Sequence, residues 1–226
     1  MAIVLICGKR EEGKSTRMLS IVRDFSPRVL ILDHRSQFNM GRVVSNPDEL
    51  YEALEDGETF ISYHVQLDID SSDQQEEEQI IQVLRLVWLM GREEAPEQRF
   101  SFVIDEAGEL DRYGAVARAA RRMIRQIRLN TVQVFFLCHS PKDIGPQLRK
   151  LLTELYLFNL TDPLDIKWLE ETGVSAEHIE IVRNLPAHHH IHLSLRTRDS
   201  GFVLYDKPEA WNIDWKGATL APLQTP

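Results

Sequence analysis

Cysteine is scarce in this chain, and both cysteines lie in apolar surroundings. The 226 residues contain two, Cys7 and Cys138, each inside a run typical of a buried strand. Two cysteines exclude a four-cysteine zinc site, and their placement argues against a disulfide framework. The chain is therefore expected to work in a reducing compartment such as the cytosol.

Long apolar runs, linkers and repeats are also missing. No run approaches the roughly 20 apolar residues that a bilayer-spanning helix needs, and the opening MAIVLICG has neither a basic leader nor a small-residue cleavage site. We therefore predict neither a membrane span nor a secretory signal. Hydrophobic residues make up 43% and charged residues 27%, which excludes wholesale disorder. Without a linker, residues 1–207 are interpreted as one domain and residues 208–226 as an arm or tail.

Basic residues are outnumbered by acidic ones. Lysine and arginine total 26 against 35 aspartates and glutamates, so the formal net charge is −9. Non-specific nucleic-acid binding depends mainly on neutralising phosphates, and the bulk charge excludes that mode. Any nucleic-acid role requires a local basic surface, formed either in one chain or on assembly.

Apolar runs alternate with helical patterns along the chain, which predicts an α/β fold with a mostly parallel sheet. Near the end, alternating residues on both sides of Asp199-Ser200-Gly201 predict a β-hairpin. The predicted strands are Ala2–Cys7, Val29–Leu32, Thr59–His64, Ser101–Ile104, Val132–Cys138 and Leu155–Asn159. The predicted helices are Ser15–Arg23, Asp48–Glu55, Glu76–Arg92, Ala115–Leu129 and Gly145–Leu152.

A phosphate-loop motif, G-x-x-x-x-G-K-[ST], follows the first predicted strand and opens the first predicted helix. Backbone amides of such a loop surround the phosphates of ATP, while Lys14 reaches the β and γ phosphates and the Ser15 hydroxyl binds Mg²⁺. The rival interpretation is a glycine-bearing turn with an incidental lysine, but the strand-to-helix context favours the nucleotide site. The predicted nucleotide-binding residues are Gly8, Lys9, Arg10, Glu11, Glu12, Gly13, Lys14, Ser15 and Thr16.

Two carboxylates follow the buried-strand run that ends at Ile104. In α/β folds ligands bind at the carboxyl edge of the sheet, so Asp105 is predicted to bind the Mg²⁺ and Glu106 to orient and deprotonate the attacking water. The alternative is that the two acids cap the next turn. No guanine-selecting N-K-x-D motif occurs, which argues against a GTPase.

His139 follows the next predicted strand and has two open interpretations. A polar residue at this place in additional-strand ATPases commonly senses the γ-phosphate, and His139 is a candidate sensor. A solvent-facing loop histidine is the rival.

A predicted helix between these two strands carries arginines on one face. At about 100° per residue, its apolar residues share one face and its arginines the opposite one. Five arginines without an intervening acid suggest an anionic partner, either a DNA backbone or a neighbouring subunit's nucleotide or acidic surface, and a merely solvated face is the alternative. They are Arg118, Arg121, Arg122, Arg125 and Arg128.

With these residues in view, the chain resembles the FtsK–HerA superfamily of ring-forming DNA-pumping ATPases. It looks most like the genome-packaging ATPases of icosahedral viruses that have an internal membrane. The resemblance covers about residues 3–159 and rests on GKREEGKST, FVIDEAGEL, the arginine-bearing helix and VQVFFLCHSPKDIGPQLRK. One departure is His139, where the family usually has glutamine.

The resemblance implies a three-layer P-loop NTPase of the additional-strand, RecA-like type. It further implies a homohexameric ring that hydrolyses ATP between subunits and drives double-stranded DNA into a preformed capsid. Expected partners are proteins of the capsid vertex or internal membrane, and the expected location is the virion or the host cytoplasm. An arginine from a neighbouring subunit would complete each site, and Arg149 and Arg128 are both candidates.

Two further clusters keep open interpretations. Strand alternation places His188, His190 and His192 on one face, where they are either Zn²⁺ ligands or ordinary strand-surface histidines. Trp211 and Trp215 in the tail serve either as an anchor onto the domain or as a docking peptide for a capsid or a neighbouring subunit.

Three rival functions remain at this point. A thymidine-kinase-type nucleoside kinase also combines a phosphate loop with a strand ending in Asp-Glu, but such enzymes typically carry a four-cysteine zinc ribbon. A morphogenesis ATPase like those of filamentous phages is usually longer and membrane-anchored. A nucleotide-regulated binding module would bind ATP without turnover.

Overall fold

The predicted strands assemble into one sheet in the computed structural model, which describes residues 2–66, 72–92, 99–127, 131–195 and 203–205. The strands are β1 Ile3–Cys7, β2 Arg28–Asp33, β3 Arg42–Val44, β4 Phe60–His64, β5 Phe100–Ile104, β6 Val132–Cys138, β7 Glu154–Leu157, β8 His190–Ser194 and β9 Val203–Tyr205. The helices are α1 Lys14–Phe25, α2 Pro47–Glu55, α3 Asp73–Met90, α4 Gly114–Gln126, α5 Pro146–Arg149, α6 Pro163–Thr172 and α7 Ala176–Arg183. Short 3₁₀ turns cover Ala107–Asp111 and Pro141–Asp143.

The strand order is β3-β4-β2-β5-β6-β1-β7-β8-β9. Strands from β3 to β7 pair in parallel, and β8 and β9 add to the edge in antiparallel fashion. β6 lies between β1, which leads into the phosphate loop, and β5, which ends in the acidic pair. This inserted strand defines the additional-strand arrangement, so the predicted fold class is confirmed.

Helices cover both faces of the sheet and give the three predicted layers. On one face, Met18, Leu19 and Val22 of α1 pack with strand residues such as Val4 and Ile31. On the other face, the buried residues of α2 to α7 pack with the alternate strand residues, which include Leu5 and Phe102. Alternate side chains of each strand point to opposite faces, which is why nearly every position of β1, β5 and β6 is apolar.

Three elements were not predicted. β3 has three residues, too few for a periodic signal. α6 and α7 do carry start signals, because Asp162 caps α6 with Pro163 at its first turn and Ser175 caps α7. Their short, weakly patterned apolar faces explain why no helix was assigned there.

Some predicted boundaries also differ. α3 begins at Asp73, three residues before the predicted Glu76, because Ser72 and Gln75 form a capping box. α5 is a single turn that ends at Arg149, whereas the prediction extended to Leu152.

The hairpin prediction is confirmed in its two strands, since β8 pairs antiparallel with β9. Its turn, Asp199-Ser200-Gly201, lies outside the described residues, as do Trp211, Trp215 and the rest of 206–226. Within the described part of the chain, no helix combines the length and apolarity that crossing a membrane requires.

Candidate functional site

The predicted phosphate loop joins β1 to α1 at the carboxyl edge of the sheet. Gly13 has φ +95°, a left-handed conformation that glycine adopts at little cost. Gly8 meets a different constraint, because a Cβ there would lie 2.5 Å from the Cβ of Phe158. Gly13 therefore allows the turn of the loop, and Gly8 allows the loop to pack closely against Phe158.

Lys14 lies at the centre of this loop. Its Nζ donates 2.7 Å hydrogen bonds to the carbonyl oxygens of Gly8 and Lys9 and lies 3.3 Å from Nδ1 of His139. The same Nδ1 also lies 3.4 Å from the carbonyl oxygen of Gly8. Burial lowers the pKa of Lys14 from its ordinary value. The loop thus holds a half-buried ammonium over its own backbone carbonyls, beside the predicted sensor.

β5 delivers the predicted acidic pair to the same edge. Glu106 has φ +50° and ψ 52°, a conformation that turns the chain sharply after the strand. Its Oε1 lies 3.0 Å from Nε2 of His139 and 3.5 Å from Nε of Arg35. His139 therefore lies between Lys14 and Glu106 in the cleft, and its sensor role stays a prediction.

Asp105 is buried, and within the described residues its Oδ2 has no hydrogen-bond partner. Burial, together with the neighbouring charges of Asp33 and Glu106, raises the pKa of Asp105 to about 7. A buried carboxylate oxygen of this kind is a fitting ligand for a cation.

A magnesium ion suits the oxygens at this place. Ser15 and Asp105 line one cleft, and Mg²⁺ commonly takes one or two protein oxygens and completes its shell with water and substrate phosphates. Among the described residues, no cluster of three or more His, Cys, Asp or Glu side chains is arranged to hold a metal alone. The donor set therefore fits a cation that arrives with a phosphorylated substrate.

The cleft has a volume of about 800 Å³. Most of the predicted site residues line it, and the structure brings together the loop, the acidic pair and the sensor strand. Its lining residues are Arg10, Glu11, Gly13, Lys14, Ser15, Thr16, Arg35, Gln37, Asp105, Glu106, His139 and His188. The other loop residues support the walls: Lys9 Nζ donates to Asn159 Oδ1, and Glu12 Oε2 accepts from the backbone N–H of His188.

Four residues around the cleft were not predicted. Asp33 is fully buried at the end of β2 and accepts hydrogen bonds from the backbone amides of Arg35 and Phe38. Arg35 and Gln37 line the cleft from the segment after β2. The signal for these three was present, because polar residues follow a buried strand there as they do after β5 and β6. His188 had no comparable signal, since it lies far along the chain.

Left-handed backbone conformations concentrate at this cleft. Among the described residues, four that are not glycine have positive φ: Glu11, Ser36, Glu106 and His188. Three of them line the cleft, and Ser36 lies between the lining residues Arg35 and Gln37. Such conformations cost of order 1–3 kcal/mol each and cluster at functional sites. The backbone itself thus marks the cleft as the candidate site.

Several solved structures have a similar fold. The chain is similar to the genome packaging NTPase B204 of Sulfolobus turreted icosahedral virus 2 in complex with ATP-gammaS, with TM-score 0.67, 15% identity, and coverage of 91% of this chain and 96% of that one. It is also similar to B204, the DNA-packaging ATPase of Sulfolobus turreted icosahedral virus, with TM-score 0.64, 18% identity, and coverage of 91% and 97%. For VirB4 of Thermoanaerobacter pseudethanolicus the TM-score is 0.68, with 12% identity and coverage of 94% and 91%.

The fold is the predicted three-layer α/β fold of a P-loop NTPase. At these identities the likeness shows the fold alone, and it confirms the predicted resemblance at that level. No family model matches the chain, and no curated protein sequence matches it.

Within this P-loop ATPase fold, α4 presents the predicted arginine face. Val116, Ala120, Met123 and Ile124 are buried against the core, as predicted. Within the described part of the chain, none of the four α4 arginines pairs with an acidic side chain. Those four, which together line a shallow depression, are Arg118, Arg121, Arg122 and Arg125.

The four α4 arginines form two pairs, which differ in whether they also border a second surface. Arg118 and Arg122 also border a groove of about 630 Å³ between α4 and α3, together with Arg85 of α3. Arg121 and Arg125 do not line this groove. Arg128, the fifth predicted member, lies outside the described residues.

Arg149, one of the two candidates for the trans-acting arginine, does not line the cleft of its own chain. Arg149 ends α5, and its guanidinium carbon lies 5.9 Å from the centre of the Trp168 ring. Its Nε is buried without a hydrogen-bond partner. A trans role for Arg149 therefore stays a prediction, as it does for Arg128.

The predicted histidine face is wrong in one respect. His188 precedes β8 and has φ +66°, so it is not on a strand and contacts the phosphate loop instead. His190 is buried, and burial lowers its pKa to about 3. His192 stacks on Tyr156 at 4.2 Å and pairs with Glu154 at 2.9 Å. His190 and His192 thus share one face of β8, where both rings lie near Tyr156, whereas His188 does not belong to that face.

Proposed function

We propose that this protein is an ATPase that drives double-stranded DNA into a preformed viral capsid. The observation that carries the proposal is the convergence of Lys14, Ser15, Asp105, Glu106 and His139 on one cleft at the carboxyl edge of an additional-strand sheet. Further support comes from B204, which has this fold and is described as a genome packaging NTPase in complex with ATP-gammaS.

The loop residues bind the triphosphate of ATP. Backbone amides between Gly8 and Ser15 and the amino end of α1 point to anionic oxygens, which a helix N-terminus stabilises. Lys14 Nζ exchanges its hydrogen bonds to Gly8 and Lys9 for the β and γ phosphate oxygens. Ser15 and Asp105 would hold Mg²⁺, which when bound neutralises charge on the phosphate oxygens.

Glu106 activates water for attack on the γ phosphorus. The water oxygen forms a bond to phosphorus, the bond from phosphorus to the bridging β–γ oxygen breaks, and the water proton passes to the Glu106 carboxylate. Nε2 of His139 lies 3.0 Å from that carboxylate, while Nδ1 lies 3.3 Å from Lys14 Nζ. Movement of the γ phosphate would therefore reach Glu106 and Lys14 through one imidazole.

The motor part of the proposal rests on the resemblance and on charge. A homohexameric ring would place the exposed Arg125 and its neighbour Arg121 toward a phosphate backbone, while the acidic remainder of a chain of net charge −9 avoids non-specific adhesion. The capsid vertex or internal-membrane proteins would receive the ring.

A second candidate is an assembly or secretion ATPase that moves a protein rather than DNA. The likeness to the cytoplasmic domain of the type VII secretion ATPase EccC of Thermomonospora curvata, with TM-score 0.51 and 16% identity, favours it. It uses the same nucleotide site and differs in its cargo.

The test measures ATP binding and phosphate release by the full chain with Mg²⁺, with and without linear duplex DNA. We expect Lys14→Ala to abolish binding or turnover. Glu106→Gln should bind ATP normally and hydrolyse it at least about 100-fold more slowly, because general-base removal costs that much or more. Glu109→Gln is the matched control, since Glu109 pairs with Arg112 outside the cleft.

Near-normal turnover by Glu106→Gln would show that the water-activation role is wrong. A radiolabelled nucleoside phosphate formed from nucleosides and labelled ATP would indicate the kinase instead. A rate of ATP turnover that duplex DNA of any length leaves unchanged would favour the protein-moving candidate.

A further inference from the structure

The groove between α3 and α4 lies away from the nucleotide cleft. Its floor is apolar and formed by Leu84, Met123, Ala119, Ile81 and the indole of Trp88. Trp88 is fixed there, because its Nε1 donates a 2.9 Å hydrogen bond to Gln126 Oε1. An apolar groove of about 630 Å³ on a protein surface is typical of a site that binds another molecule.

Three guanidinium groups border this apolar floor. Arg85 belongs to α3, and Arg118 and Arg122 belong to α4. All three are exposed, and within the described residues none forms an ion pair with an acidic side chain. The groove therefore suits a ligand that places aromatic or aliphatic side chains between carboxylates.

Duplex DNA would complement the arginine rim of the groove but not its apolar floor. A phosphate backbone would satisfy the arginines, but it has no apolar groups to cover Ile81, Ala119 and Trp88. A peptide segment with both acidic and large apolar side chains would satisfy the rim and the floor together.

The chain itself contains such a segment after its last described strand. Residues 208–215, PEAWNIDW, combine Glu209 and Asp214 with Trp211, Ile213 and Trp215 and include no basic residue. The two carboxylates complement the arginine rim, and the two indoles complement the apolar floor.

Reach decides which copy provides the segment. β9 lies five strands from β5, which at the usual strand spacing is about 24 Å across the sheet. We place the groove near β5, because α3 leads into that strand and α4 leads out of it. Trp211 follows Tyr205 by six residues, which extend to about 21 Å at most. Moreover, α5, α6 and α7 pack on the same face of the sheet as α3 and α4.

We propose that residues 208–215 of one copy dock into the α3–α4 groove of a neighbouring copy, with Trp211 and Trp215 on the floor and Glu209 and Asp214 against the arginine rim. The tail thus acts as an intersubunit strap. This inference goes beyond the proposed function and does not depend on ATP hydrolysis, so each can fail without the other.

The experiment uses a fluorescein-labelled peptide of residues 206–218 and the full chain carrying Trp211→Ala and Trp215→Ala, so that its own tail does not compete. Fluorescence anisotropy should show saturable binding. Adding Arg118→Glu and Arg122→Glu should weaken it at least about tenfold, a change of about 1.4 kcal/mol. A peptide with Glu209→Lys and Asp214→Lys should recover the loss on that charge-reversed groove and bind poorly to the original one.

The matched control reverses two exposed basic residues elsewhere, Lys167→Glu and Arg183→Glu on α6 and α7. It should leave peptide binding unchanged, and circular dichroism melts verify that all variants fold. Sedimentation velocity of the full chain should show self-association that Trp211→Ala with Trp215→Ala removes.

Three results would overturn the proposal. The first is no peptide binding, or binding that the groove substitutions do not change. The second is tail docking that is independent of protein concentration, which would make the contact intramolecular. The third is duplex DNA binding that requires Arg118 and Arg122 while the peptide does not bind, which would assign the surface to DNA.

Discussion

At the scale of single residues, the cleft concentrates negative charge and left-handed backbone conformations, and the fold by itself requires neither. Asp105 is 8% exposed and lies near Asp33 and Glu106, so three carboxylates share one end of the sheet. Glu106 adopts a left-handed conformation that most residues avoid. Both features lower stability and are typical of a site prepared for a cationic ligand.

Asp105 gives a pH prediction for the protein without Mg²⁺ or nucleotide. Its pKa rises from an ordinary 3.8 to about 7 on folding, mainly because of burial. The folded state therefore prefers the neutral acid, and stability is lost as the pH rises from about 4 through 7. Asp105→Asn does not ionise, so its free energy of unfolding should exceed that of wild type by up to about 4 kcal/mol at pH 8, at 1.36 kcal/mol per pKa unit.

Urea unfolding at several pH values between 4 and 8, in buffer with EDTA, measures this difference. The advantage of Asp105→Asn should shrink toward zero at pH 4. Asp24→Asn on the exposed surface of α1 is the control and should show no such trend. An Asp105→Asn curve parallel to wild type at all pH values would contradict the burial argument.

At the scale of elements, α6 fixes the turn that carries the sensor histidine. Ser140, directly after His139, donates a short hydrogen bond from Oγ to Asp165 Oδ1 on α6. Asp165 is buried, and burial raises its pKa. A second link, between Lys142 and Asp162, crosses the same junction on the exposed surface at 2.5 Å.

Removal of each of these two links should have a different effect on stability and on ATPase activity. Asp165→Ala removes the acceptor of a buried hydrogen bond, so we expect a loss of about 1–3 kcal/mol in the free energy of unfolding and a fall in kcat with little change in KM. Lys142→Ala removes an exposed ion pair and should change stability by less than about 1 kcal/mol. Chemical denaturation and steady-state ATPase assays measure both. Equal effects of the two substitutions would argue against a positioning role for α6.

At the scale of the whole molecule, the described cleft holds the residues proposed to bind and hydrolyse ATP, and Arg149 is not among its lining residues. Arg149 lies beside Trp168, away from the cleft. If subunits complete each other's sites, turnover per chain should rise steeply with protein concentration.

Mixing inactive variants tests this sharing directly. Arg149→Ala retains its own cleft, and Lys14→Ala retains its arginine, so a mixture should regain part of the ATPase activity that each lacks alone. A mixture of Lys14→Ala with Glu106→Gln should regain none, because both defects lie in the same cleft. If the Arg149→Ala mixture also stays inactive, the same pair with Arg128→Ala tests the other candidate.

The sequence by itself determined the local chemistry of this protein. The spacing from Gly8 to Ser15 and the apolar run before Asp105 were sufficient to predict the phosphate loop and the acidic pair, because both are built from consecutive residues. The buried face of α4 also followed from helical periodicity. These features depend on neighbours in the chain, which a sequence displays.

Only the tertiary structure decided which distant residues share the cleft. Arg35 and His188 reach it from β2 and from the segment before β8, and His139 is placed between Lys14 and Glu106 because β6 inserts between β1 and β5. The left-handed turn at His188, which removed it from the predicted strand face, is fixed by a contact with Glu12 that lies 176 residues away. The contact of His188 depends on the packing of distant segments, and no local pattern in the chain encodes it.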